Sequence, residues 1–125
     1  IDASSHVTID AAQSMLNDGV KIVTVYGRLN NNGGIHFSGD LSGGDYGIFV
    51  WFDSNLTNNG NITFESVNTR RGAATGVLCQ NGVKIAGSGS ICATNKVVAG
   101  SLCYDCSFSS TPLMCSSASC PLPPT

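Results

Sequence analysis

The residues best able to do chemistry are six cysteines, and all of them lie after residue 78: Cys79, Cys92, Cys103, Cys106, Cys115 and Cys120. An even number with close spacing has two readings. Disulfides imply an oxidising, extracellular compartment and a stapled C-terminal end. A zinc site would draw on Cys103, Cys106, Cys115 and Cys120, and the first of these spacings suits the metal. The rest of "CYDCSFSSTPLMCSSASC" lacks the basic and turn residues of a zinc knuckle, so disulfides are expected, with no metal and no cofactor.

Catalytic groupings are thin. His6 and His36 make no pair, and no nucleophile elbow, HExxH, phosphate loop or GxGxxG occurs. Asp18 and Asp45 recur 27 residues apart, Asp40 stands near them, and Arg70 and Arg71 follow about one interval later. Clustered carboxylates beside a basic group can cleave polysaccharides, but turn residues and a solvated loop explain these equally well. The chain is not expected to be an enzyme. Charged residues make up 11% and the net charge is −2, which offers nothing to nucleic acid or an anionic membrane surface. No apolar run approaches the roughly 20 residues of a membrane span. The chain begins at Ile1 rather than Met, which fits a processed terminus.

The elements that position these residues come from a repeat. "LNNNGGIHF" (Leu29 to Phe37) recurs as "LTNNGNITF" (Leu56 to Phe64), 27 positions on. "IAGSGSICA" follows from Ile85, and "IDASSHVTI" precedes from Ile1, with Val7 and Ile9 matching Ile35 and Phe37 and Ser5 at the glycine position. A second landmark, Gly19-Val20, Gly47-Ile48 and Gly76-Val77, has spacings of 28 and 29, and Gly100-Ser101 follows after 24. Each unit alternates apolar and variable residues in short runs separated by Gly, Asn and Ser, the pattern of half-buried strands and tight corners. Units of 27–29 residues that stack strand upon strand predict an all-β fold, a β-solenoid (parallel β-helix) of three to four coils. The coils span 1–96, and a disulfide-rich cap with a Pro-rich tail spans 97–125, within one domain.

Particular side chains follow from that register. Ile35, Phe37, Ile62, Phe64, Ile91, Val20, Ile48 and Val77 should point inward. Asn30 to Asn32 and Asn58 to Asn59 share a corner, where stacked amides could bond along the column. "DAAQSMLNDG", from Asp10 to Gly19, has a short-helix signature. Aligning the glycine landmarks turns Lys21, Phe49 and Leu78 outward in one column, and Val23, Trp51 and Gln80 in the next. Phe49, Trp51 and Leu78 would then form an apolar partner patch. The outward column Thr8, His36, Thr63, Cys92 is too irregular for an ice-binding face. Asn55 and Asn61 open N-x-Thr sequons and are candidate glycosylation sites. Aligning Gly76 to Cys79 with Gly100 to Cys103 suggests disulfides Cys79–Cys103, Cys92–Cys115 and Cys106–Cys120.

At "LNNNGGIHF" and "LTNNGNITF" the chain resembles the repeats of secreted β-solenoid surface proteins, of which filamentous-haemagglutinin-like adhesins and autotransporter passengers are examples. The resemblance covers roughly residues 1 to 95; its motif is generic and carries no functional residue across, and the cysteine-rich end departs from it. It implies an extracellular or cell- or virion-surface location. Two functions are expected. The first is a structural subunit of a self-assembling filament, coat or spike, a homo-oligomer joined through Phe49, Trp51 and Leu78 or through an end at Ile1 and Ala3. The second is an adhesin or module that binds a glycan or receptor.

Overall fold

The computed structural model of the protein describes residues 1–10, 21–41, 46–67, 75–93, 101–109 and 113–114. The fold is all-β. The first strands are β1 (His6–Asp10), β2 (Lys21–Val25) and β3 (Arg28–Asn31). They are followed by β4 (Gly34–Leu41), β5 (Tyr46–Val50) and β6 (Asn55–Asn58), then β7 (Asn61–Val67), β8 (Thr75–Cys79) and β9 (Lys84–Ala86). The last are β10 (Ser90–Ala93), β11 (Ser101–Tyr104), β12 (Ser107–Phe108) and β13 (Leu113–Met114). No α-helix occurs among the described residues, and Gln80–Gly82 forms one 3-10 turn. The expected helix between Asp10 and Gly19 lies almost wholly outside the described residues.

These strands form three parallel sheets, ordered β1-β4-β7-β10-β13, β2-β5-β8-β11 and β3-β6-β9-β12. The chain visits the sheets in strict rotation, so every strand lies beside the one three earlier. The segment expected as a cap continues the rotation, because β11, β12 and β13 each extend one sheet.

Stacked columns of like residues fill the interior. In the first sheet Ile35, Ile62 and Ile91 are in register, with Val7 at the end of their column but 41% exposed, and Ile9, Phe37, Phe64 and Ala93 form a second column. The Phe37 and Phe64 rings stack with centroids 4.9 Å apart and planes at 14°, a spacing close to the strand separation itself. Gly47, which opened the second landmark, makes room for this stack. A Cβ there would sit 2.6 Å from Phe64 Cε1 and 2.7 Å from the Gly76 carbonyl oxygen. In the third sheet Leu29, Leu56, Ile85 and Phe108 share a column. All the expected inward residues among those described are buried, and Val20 lies outside the described residues.

The second sheet corrects two registers. Val23 pairs with Ile48 and Val25 with Val50, an offset of 25, not the 28 that the glycine landmark implied. The residue beside Phe49 is therefore Thr24 instead of Lys21, and Val25 is a core residue. The landmark failed because Gly19 and Val20 precede β2, which begins at Lys21, and the interval from β1 to β2 is longer than that from β4 to β5. Likewise Cys103 pairs with Val77, an offset of 26, and not with Cys79. At the start of the chain, the Ile1 ammonium donates to the Asn30 carbonyl at 2.9 Å, and Asn32 N donates to the Ile1 carbonyl at 2.9 Å. Ile1 thus lies opposite Asn30–Asn32, past the Leu29 position expected for it.

The corner between the third and first sheets carries the amide column. Asn31 and Asn58 are buried, and Asn31 Nδ2 donates to Asn58 Oδ1 at 2.9 Å. Asn58 Nδ2 in turn donates to the Ser90 carbonyl at 3.2 Å, while Asn59 Nδ2 donates to Asn32 Oδ1 at 3.2 Å on the surface. Backbone bonds tie Ser5 to Gly34, Gly33 to Asn61 and Gly60 to Ser90 across successive strands, so Ser5, Gly33, Gly60 and Gly89 do occupy one column. A Cβ on Gly60 would overlap the Gly33 carbonyl oxygen.

Two substitutions test this packing. Phe64→Ala should lower unfolding free energy by about 3–5 kcal/mol, the usual cost of truncating a core aromatic. Gly60→Ala should also destabilise, although it adds helix and strand propensity, because the added methyl meets backbone. Urea titration followed by far-UV circular dichroism checks both.

Candidate functional site

The outer face of the second sheet gathers aromatic rings. Trp51 follows β5 and Tyr26 follows β2, and the Val25–Val50 pair sets them side by side. Trp51 N donates to the Val25 carbonyl at 3.3 Å. Their rings stack at 5.1 Å with planes at 24°. Phe49 meets the indole edge-on at 5.6 Å, and Phe52 lies 6.3 Å from it on a turn closed by Ser54 N donating to the Trp51 carbonyl at 3.0 Å. Phe49, Leu78 and Tyr104 form the adjoining column.

Of the three residues expected here, Trp51 and Leu78 are half-buried, and Phe49 is only 7% exposed although it lies outside the main core. The open surface is instead carried by Tyr26 (72% exposed), Phe52 (59%) and Tyr104 (52%). Tyr26 escaped sequence reasoning because the β2 register was misplaced by three residues. Tyr104 escaped because the cysteine alignment misplaced β11. Phe52 sits in "IFVWF" and could have been found from its density of rings alone.

Among the described residues, two polar atoms of this region have no hydrogen-bond partner. Trp51 Nε1 and Gln80 Oε1 are both closed off from solvent and neither makes a hydrogen bond. Trp51 and Gln80 follow the paired residues Val50 and Cys79, so they occupy neighbouring places in one column.

The remaining candidates disperse. Thr8, His36, Thr63 and Cys92 do share one column, with His36 Nδ1 2.6 Å from Thr63 Oγ1 and Cys92 buried. His6 pairs with Gly34, one column away. Among the described residues no group of three His, Cys, Asp or Glu side chains converges to hold a metal ion. Asp18, Asp45, Arg70 and Arg71 lie outside the described residues. Asn55 and Asn61 are both exposed, but the Asn61 side chain accepts from Ser90 Oγ. Ala3 is exposed, and Ile1 packs against the core.

The four described cysteines are disulfide-bonded, with a changed connectivity. Cys79 joins Cys106, with Cα atoms 5.0 Å apart and both residues buried. This excludes Cys79–Cys103 and Cys106–Cys120. Asp105 takes a left-handed backbone, φ 59°, just before Cys106, at the point where the strand pairing ends and the sulfur turns toward Cys79. Cys92 and Cys103 are also in disulfides; Cys115 and Cys120 lie outside the described residues. The chain matches no protein-family model, and neither curated proteins nor solved structures give a significant match.

Non-reduced peptide mapping should recover a Cys79–Cys106 link. Removing it with Cys79→Ala/Cys106→Ala should cost about 3–4 kcal/mol, since the bond closes a loop of 27 residues.

Proposed function

We propose that the protein is a secreted β-solenoid, stapled by disulfides, that serves as an adhesin-type binding module through the outer face of its second sheet. The observation that carries this reading is the pair of exposed rings, Tyr26 and Phe52, against the half-buried Trp51, with exposed Tyr104 two strands away in the adjoining column. Rings left in water forgo burial worth about 1.5–3 kcal/mol each, so a cluster of them marks a surface that something else covers. The solenoid supports the reading because the strict rotation through three parallel sheets holds that face rigid and repeats its columns. Buried disulfides support an oxidising, extracellular setting.

A structural subunit is the second reading, and one observation favours it. Among the described residues β1 and β2 end their sheets with a strand neighbour on one side, and an open parallel edge is a template for a further copy. Size and adhesion separate the two. Beads coated with the binding module should adhere to cell surfaces, and Tyr26→Ser/Phe52→Ser should abolish adhesion without lowering stability, while the protein stays monodisperse in light scattering. Fibres or layers in electron micrographs, with adhesion indifferent to the double substitution, would favour the structural subunit.

A further inference from the structure

The chemistry of the aromatic face narrows its ligand. Tyr26 and Trp51 present nearly parallel rings on adjacent strands, with Phe52 flanking the indole. At their margin lie a donor without an acceptor, Trp51 Nε1, and an acceptor without a donor, Gln80 Oε1. Buried polar atoms are ordinarily paired, so two complementary orphans in one column are an unmet demand of the unliganded protein. A hydroxyl is the small group that accepts from one and donates to the other.

We propose that this face binds a neutral glycan, with a pyranose C–H face lying on the open side of the Tyr26 ring, whose other side is stacked on Trp51, and one sugar hydroxyl bridging Trp51 Nε1 and Gln80 Oε1. The proposal deepens the binding-module reading and rests on it. Neutrality follows from the surroundings, because the column neighbours Thr24, Leu78, Gln80 and Tyr104 carry no charge. The charged residues flanking the rings, Arg28, Asp53 and Asp105, include two carboxylates against one guanidinium, a poor match for an anionic polymer. A peptide adding itself as a strand would engage the backbone edge of β2, whereas β5 and β8, flanked on both sides, offer side chains only to a ligand at Trp51 and Gln80. The two orphan atoms are shut from solvent, so the hydroxyl reaches them only as a neighbouring ring turns aside. Binding therefore changes the environment of the indole itself.

Trp51 is the sole tryptophan, so its emission reports on the site directly. The protein is titrated with gluco-, manno- and N-acetylchito-hexasaccharides, with polygalacturonate as the anionic control. At least one neutral oligosaccharide should shift Trp51 emission saturably, and polygalacturonate should not. Tyr26→Ala should weaken that binding about tenfold, roughly the loss of one ring stack. Gln80→Met should weaken it while leaving the urea midpoint unchanged or raised, since it removes an orphan acceptor. No emission change with any of the neutral hexasaccharides, or a response to polygalacturonate alone, overturns the glycan. If bead adhesion still depends on Tyr26 and Phe52 in that case, the binding-module reading stands without it. If adhesion is also indifferent to them, both fall.

Discussion

Every round of this chain has to land on the one before it with its apolar residues in the same columns. Slipping a strand by one residue would turn its apolar side chains out to water, so the register needs a fixed point. The corner Asn-Asn-Gly supplies it. Asn31 and Asn58 are bonded to each other inside the protein, and the glycines that follow them allow backbone to approach backbone. An amide pair buried this way is costly to break, because either partner alone would be left unsatisfied. The column stops where the sequence stops providing it. The residue after Ala86 is Gly87, with φ 88°, so Asn58 keeps only its bond to the Ser90 carbonyl, the counterpart of the one Asn31 makes to the Asn61 carbonyl.

Packing follows from that fixed point. With the corner set, Phe37 falls on Phe64 and Ile35 on Ile62, and Gly47 leaves room for the ring pair. Where the next round offers only Ala93, cysteines take over part of the interior, with Cys79, Cys103 and Cys106 all fully buried. Cross-links thus replace apolar bulk near the end of the chain, the exchange expected where the core itself runs short.

The first sheet from β1 to β10 and the third from β3 to β9 were legible in the sequence because their strands flank the Asn-Gly corner, and its letters repeat at a nearly constant interval; β12 and β13, in the segment expected as a cap, were not. The second sheet was legible only between β5 and β8. The intervals that lead into its strands differ in length, Asp10 to Lys21 against Leu41 to Tyr46, so a glycine that precedes a strand in sequence marks no register. That is why Gly19 misled the placement of β2 and Gly100 misled that of β11. The errors propagated to the surface. Trp51 and Leu78 were on the right face, but the exposed rings beside them were hidden by the misplaced strands. Disulfide connectivity failed for the same reason, since Asp105 and its left-handed turn decide which sulfur reaches Cys79, and no periodicity reports that.

A double-mutant cycle on Asn31 and Asn58 tests the central claim most directly. Asn31→Ala, Asn58→Ala and the double variant are compared by urea unfolding, with Asn32 and Asn59 as the solvent-exposed control pair. The buried pair should show a coupling energy of about 1 kcal/mol or more, and the exposed pair close to none. Additive effects at Asn31 and Asn58 would contradict the account, for the two amides would then not be stacked and the register would have to be held elsewhere.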